Sequence, residues 1–241
     1  MKHRLVLWMR YFKIATVAFV TFSVAWVALY RCIPPPITYV MVSKYGINFD
    51  YSPKSIESIS PEMLVCAMAA EDQMLPFHAG LDISAIKTAI KRNKKSKKTF
   101  GASTITQQVS KNAFLFPNRN FIRKGLELYF SIWVETLWPK NHILNTYLNI
   151  AEMGKGIFGA EAAGQHFYKK KASQLNLAES SSIIATLPNP IKFKATSQSE
   201  YVLSRKSKIM RQYGFLDGRH YLRELYVRTD KPIYDFSNYQ E

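Results

Sequence analysis

Gly101-Ala-Ser-Thr-Ile-Thr-Gln-Gln-Val-Ser-Lys-Asn112 is the stretch on which the reading turns. Thr104 followed by Gln107 is a capping box, so a helix starts here. Residues 104, 108 and 111 then fall at i, i+4 and i+7 and share one face. That face carries a hydroxyl, an amide and an ammonium where a core helix would carry apolar groups. The free N–H groups of the helix start add a partial positive charge. Such a face suits a ligand with sugar hydroxyls and a phosphate. The bland alternative is a solvated helix surface.

The flanking segments sharpen this. Upstream, Ser60 is an N-cap with Pro61 at the first helical position. Leu64, Met68 and Glu71 share a face of the helix that follows. A carboxylate partly buried there has its pKa raised by desolvation, which suits a general base near neutral pH. Asp72 points elsewhere. A surface Glu at a frayed helix end is the plainer alternative, and the nearby His78 weighs against it. Downstream, Arg119, Arg123 and Glu127 are four apart. They form either an ion-pair ladder worth about a few tenths of a kcal/mol, or two guanidiniums gripping a phosphate beside a carboxylate.

The rest of the chain reads as helices. Ile122, Leu126, Phe130, Trp133 and Leu137 form an apolar stripe that Pro139 ends, and Ile143, Leu144, Tyr147 and Leu148 mark the next helix. A turn at Gly154-Lys-Gly156 leads to a helix from Phe158. Leu175–Leu187 is helical and stops at Pro188-Asn-Pro190. Basic helical pieces lie at about Tyr201–Tyr213 and Arg219–Tyr226. With no repeat and no run of alternating strands, the fold class is mostly α.

A chain of 241 residues holds one good core. Its 33 Lys and Arg against 17 Asp and Glu leave a net charge of +16, which favours a polyanionic partner. Ile14–Tyr30 carries no charge and lies between Lys13 and Arg31, long enough for a short membrane span. It lacks a cleavage site, so it reads as an uncleaved anchor. Lys2, Arg4, Arg10 and Lys13 keep the N-terminus cytoplasmic and put the rest outside. The layout is a basic cytoplasmic N-terminus at 1–13, an anchor at 14–33, a juxtamembrane linker at 34–51, a folded domain at 52–226 and a tail at 227–241. Nucleic acid is thereby excluded as a partner.

Other patterns carry little. Cys32 and Cys66 make neither a disulfide framework nor a metal pair. Gly154-x-Gly156-x-x-Gly159 follows a helical pattern, so it is not read as a dinucleotide fingerprint. Ser84-x-x-Lys87 lacks the partner motifs of a transpeptidase. Lys91–Lys98 reads as a basic loop, solvated or facing anionic lipid.

In order, the motifs are Glu71-Asp72…His78-x-Gly80-x-Asp82, Gly101–Asn112, Arg123-Lys124-x-x-Glu127, Ile143-Leu-x-x-Tyr-Leu-Asn149, and Glu179 with Leu187-Pro-Asn-Pro190. Together they resemble the peptidoglycan glycosyltransferases of glycosyltransferase family 51. With the anchor and no transpeptidase, the likeness is to the monofunctional type. It implies a lysozyme-like helical domain that polymerises lipid II into glycan strands on the outer side of the bacterial inner membrane.

By position, Glu71 is similar to the catalytic base and Glu127 to the second carboxylate. Lys111, Arg119 and Arg123 match pyrophosphate-binding positions. Ser103, Thr104, Gln107, Gln108 and Asn112 match the substrate groove, and Asp72 and His78 are counted with them. Leu75 stands where an aromatic is usual and Asn145 where a Glu is usual. No tightly bound cofactor and no protein metal site are expected. The resemblance adds a divalent cation, Mg²⁺ or Mn²⁺, on the substrate pyrophosphate, and leaves room for cell-wall synthesis proteins as partners.

The implied reaction is an inverting displacement that releases a lipid pyrophosphate. Cations stabilise such a leaving group, so one base and several Lys/Arg suffice. A glycan-cleaving muramidase or lytic transglycosylase of similar fold is the rival, and it needs an acid and usually a second carboxylate. A third reading is a non-catalytic binder of anionic polymers, which would not need Glu71.

Overall fold

No proline or glycine interrupts the chain before Pro34, and the first helix, α1 (Lys2–Cys32), runs unbroken almost to it. The computed structural model describes residues 2–95, 101–117, 120–197 and 199–226. The basic residues expected as a separate N-terminal segment continue the helix of the anchor. Within it, Val6–Cys32 is long and apolar enough to cross a membrane, at about 40 Å.

The last turns of α1 are docked on the domain. Ser23 and Val27 are buried. The Ser23 hydroxyl lies 2.6 Å from that of Tyr129. Trp138 Nε1 donates to the Val27 carbonyl at 2.8 Å, and an Arg31 Nη donates to that of Leu137 at 2.7 Å. Trp26 meets Phe114 edge-on, and Phe114 stacks on Phe130 at 5.0 Å.

Residues 34–51, expected as a linker, carry a short helix, α2 (Tyr39–Tyr45), and a strand, β1 (Asp50–Tyr51). The Thr38 hydroxyl caps α2, Gly46 ends it at a φ of +61°, and Met41 is fully buried. Elements this short leave no periodicity to read.

Next comes α3 (Pro61–Glu71), capped by Ser60 with Pro61 at its first position, as the sequence indicates. Every residue from Glu62 to Ala69 is buried. The single apolar face expected for this helix is therefore too narrow a description. α3 is the central element, packed against the helices at Lys140–Ile150, Leu177–Ala185 and Glu200–Phe215 and the 3₁₀ turn at Gly218–Leu225.

Then follow α4 (Ile83–Lys95), α5 (Ile105–Phe114), α6 (Phe121–Leu137) and α7 (Lys140–Ile150). The run expected as a basic loop is helical as far as Lys95, and its remainder lies outside the described residues. Ser84 and Lys87 are exposed on α4. On α6, Phe130 is buried and Leu126, Trp133 and Leu137 pack on the core, but Ile122 is 77% exposed, so the stripe starts a turn later than expected.

Strands β2 (Glu152–Gly154) and β3 (Ile157–Phe158) form a hairpin, and β1 joins β3 in parallel, pairing Asp50 with Ile157. The sequence showed none of these, because they are two or three residues long. The glycines of the hairpin are structural. Gly156 has a φ of +71°, and a Cβ on Gly159 would fall 2.5 Å from the Asn149 carbonyl oxygen. The dinucleotide reading of this motif is closed.

Finally α8 (Ala160–Tyr168), α9 (Leu177–Ala185) and α10 (Glu200–Phe215) complete the domain. The chain after Tyr213 docks on it. Tyr221 is fully buried with its hydroxyl donating to the Gln73 carbonyl, and Arg219 pairs with Glu62. The expected tail at 227–241 lies outside the described residues.

Candidate active site

Asp72 caps the end of α3, and its buried carboxylate accepts the N–H of Ile105, the first residue of α5, at 2.8 Å. His78 Nε2 faces both Asp72 oxygens at 2.9 and 3.0 Å. The other ring nitrogen, Nδ1, accepts the Gly80 N–H at 3.1 Å, which places the ring proton on the side of Asp72. Thr104 and Gln107 form the capping box that the sequence indicates, and Thr104 also donates to the Gly80 carbonyl at 2.7 Å. Of the residues expected to bind substrate, Asp72, His78 and Thr104 thus tie the end of α3, the turn at Gly80 and the start of α5 together, while Gln107 Oε1 caps α5 through the Thr104 N–H.

Above this framework lies Glu71. Its Oε1 accepts from Arg205 Nη2 at 2.8 Å and its Oε2 from Gln108 Nε2 at 3.1 Å. Burial pushes its pKa up; the Arg205 charge and the Gln108 hydrogen bond work against that, and the net shift is upward. Tyr147 on α7 is buried in the field of the same groups, and its hydroxyl has no partner.

One turn further along α5 is Lys111. Burial lowers its pKa, Glu127 raises it, and Arg123, Lys44 and Lys124 lower it further. Among the described residues its ammonium has no hydrogen-bond partner. Glu127 spends both oxygens on cations: an Arg123 Nη at 2.6 Å and Lys124 Nζ at 3.0 Å. Arg123 Nε is buried without a partner. Asn112 is half-buried beside Lys111, and Ser103 is exposed at the rim, 3.5 Å from Lys124 Nζ. Arg119 lies outside the described residues. Of the two departures from the family pattern, Leu75 is fully buried and the Asn145 side chain accepts from Asn149 Nδ2 through its Oδ1 at 3.3 Å.

The face therefore offers one carboxylate poised to take a proton and, a turn away, a cluster of ammonium and guanidinium groups. The residues present do not fit a protein-held divalent ion. Among those described, no group of three or more His, Cys, Asp or Glu is placed to bind one, and Glu127 is already neutralised.

The family model described as transglycosylase matches residues 41–214. The chain belongs to the transglycosylase family. Its relatives include biosynthetic peptidoglycan transglycosylases of Yersinia pseudotuberculosis serotype O:1b (strain IP 31758) and of Yersinia pestis (strain Pestoides F). Each is 40% identical over 224 residues, covering 88% of this chain and 92% of the relative. The match to the family begins inside α2, in the stretch expected as a linker.

In this transglycosylase, sequence reasoning assigned no role to Arg205, Lys124 or Tyr147. Arg205 had a readable signal: it falls on the α10 face of Val202 and Ile209, both buried. A cation on an apolar face needs a carboxylate partner. Lys124 stands three residues before Glu127, a spacing that lets the two meet on a helix, and its Nζ lies 3.0 Å from Glu127 Oε1.

Proposed function

We propose that this enzyme is a membrane-anchored peptidoglycan glycosyltransferase that polymerises lipid II with inversion at the anomeric carbon. Glu71 takes the proton of the acceptor's 4-hydroxyl. The acceptor oxygen bonds to the donor's anomeric carbon as the bond from that carbon to the pyrophosphate oxygen breaks. Lys111, Arg123 and Lys124 neutralise the departing lipid pyrophosphate. No step is assigned to a metal ion; any divalent cation there takes its ligands chiefly from the pyrophosphate. Gln108 and Arg205 hold the Glu71 carboxylate in register. The Asp72–His78–Thr104 framework fixes the distance between base and cations.

One observation carries this reading: the Lys111 ammonium, without a hydrogen-bond partner among the described residues, lies one helical turn from the Gln108–Glu71 contact. Hydrolytic cleavage of glycans has no anionic leaving group and no use for that cation. The raised pKa of Glu71 would serve an acid in cleavage as well. Glu127, the second carboxylate that such a mechanism would draw on, is gripped on both oxygens by Arg123 and Lys124.

The membrane reading follows the same line. α1 crosses the bacterial inner membrane once, Lys2, Arg4, Arg10 and Lys13 stay on the cytoplasmic side, and the domain works outside. Lipid II and the lipid-linked glycan reach the site from that membrane, and cell-wall synthesis proteins are candidate partners.

The test is to give purified protein labelled lipid II in detergent with Mg²⁺ or Mn²⁺. Long glycan products that vanish in Glu71→Gln are expected. Cleavage of preformed peptidoglycan without polymerisation overturns the proposal in favour of the glycan-cutting rival. Polymer binding without any product favours a binder.

A further inference from the structure

The family match ends at residue 214, and the chain beyond it returns to the helix that carries Glu71. Asp217 and Gly218 take left-handed backbone angles, with φ of +63° and +56°. For Asp217 that conformation is an uncommon one, and the two residues together turn the chain back after α10. The 3₁₀ turn at Gly218–Leu225 then packs on α3. Arg219 pairs with Glu62 in the first turn of that helix, and Tyr221 reaches its other end. Tyr221 is fully buried, its ring meets Phe77 edge-on at 6.4 Å, and its hydroxyl donates to the Gln73 carbonyl. Gln73 stands two residues after Glu71. Its side chain donates back to the Ala69 carbonyl at 3.2 Å, one of the acceptors that a helix end leaves open. Gln73 is thus tied to α3 through its amide and to the C-terminal segment through its backbone. A phenylalanine would fill the same space. The hydroxyl adds direction, since a hydrogen bond fixes where the carbonyl and its residue can lie.

We infer that Tyr221 is a positioning residue: through the Gln73 carbonyl it fixes the end of α3 and so keeps the Glu71 carboxylate in register with Gln108 and Arg205. The inference rests on the glycosyltransferase reading and adds a residue to it. Arg205 lies on α10 and Tyr221 on the turn that follows, so one continuous stretch of chain holds the proposed base twice, by its carboxylate and by its backbone. A contact at the carboxylate alone leaves the helix end free to pivot, because α3 stops at Glu71 and turns follow it. Those turns are closed by the Leu75 N–H on the Asp72 carbonyl at 3.2 Å and the Phe77 N–H on the Met74 carbonyl at 2.9 Å. Neither bond engages the Gln73 carbonyl, and Tyr221 supplies the one that does. The turns lead directly to His78, so the same bond bears on the Asp72–His78 contact.

The test compares Tyr221→Phe and Arg219→Gln with wild type in the full-length enzyme on lipid II. It reads kcat, KM, the pH profile of kcat/KM and the melting temperature. Tyr221→Phe keeps the ring and removes the hydroxyl. It is expected to lower kcat about tenfold with KM within about twofold of wild type. The acid limb of kcat/KM moves to higher pH, because a carboxylate out of register with Arg205 loses the charge that opposes its burial. Melting falls by about 2–4 °C. Arg219→Gln breaks the pair at the other end of α3, where the guanidinium is exposed, and keeps the wild-type kcat and acid limb. Adding Tyr221→Phe to Arg205→Ala moves the limb no further. A wild-type kcat and limb in Tyr221→Phe, with melting lowered, would make the contact purely structural and overturns the inference. So does an equal loss of kcat in Arg219→Gln. If Tyr221→Phe fails to fold, Phe77→Leu decides in its place: it loosens the ring against which Tyr221 packs and is expected to shift the limb likewise, and an unmoved limb there overturns the inference. Absence of polymer from the wild type would instead overturn the glycosyltransferase reading itself.

Discussion

Arg205 Nη2 lies 2.8 Å from Glu71 Oε1 across 134 residues of sequence. The contact joins the end of α3 to the first turns of α10 and sets the protonation of the proposed base. Desolvation drives the Glu71 pKa up, and the guanidinium works against that without reversing it.

Removing that guanidinium shifts the pH profile. In Arg205→Ala the Glu71 pKa rises further, so the acid limb of kcat/KM moves to higher pH. Arg205→Lys moves it less. Rate measurements between pH 5 and 9 check this, and an unmoved limb in Arg205→Ala removes Arg205 from the account.

Replacing the base separates activity from stability. Glu71→Gln is expected to lower kcat by about 10²–10⁴-fold. The folded-state pKa of Glu71 is raised above its ordinary 4.5, so the native state holds its proton more tightly than the unfolded one. This group's ionisation therefore costs stability progressively as pH rises above that value. Glu71→Gln relieves the cost, so its melting temperature should match or exceed wild type at pH 7, with the difference closing below about pH 4.5. Paired thermal melts at both pH values decide it.

At the alkaline end Lys111 controls binding. Its pKa is lowered by burial and by Arg123, Lys44 and Lys124. The ammonium is therefore lost at lower pH than an ordinary lysine's, and affinity for a diphosphate falls there. Binding of undecaprenyl diphosphate measured from pH 7 to 10 should weaken earlier than in Lys111→Arg, whose guanidinium stays charged.

Glu127 is buried against two cations, so Glu127→Gln strands a guanidinium. The expected cost is about 3 kcal/mol, the low end for breaking a buried pair, because Lys124 can turn to solvent. Chemical denaturation measures it. A change under about 1 kcal/mol would mean that water already compensates Arg123.

The residues that the sequence made legible are those whose roles are local. Ser60–Pro61 and Thr104–Gln107 set helix starts through contacts three residues apart, and both caps form. Arg123 and Glu127 pair because their four-residue spacing aligns them on α6, whereas Lys111 needs α5 to pack on α6. What stayed hidden depends on distant packing. Arg205 reaches Glu71 only after α10 docks on α3, and Lys44 reaches Glu152 across 108 residues of sequence. Asp72, His78, Thr104 and Gln107 look alike in sequence whether they meet a ligand, each other or both. Their internal hydrogen bonds appear only in the assembled fold.

The docking of α1 bears on how the polymer must move. Ser23, Val27 and Arg31 fasten three successive turns of the anchor to Tyr129, Trp138 and Leu137. An anchor so fastened has no swivel: the tilt of the span and the heading of the cleft are one variable. In the membrane placement proposed above, the catalytic face then keeps a constant height and bearing over the bilayer, like a die bolted to its bench, and the growing strand is what slides.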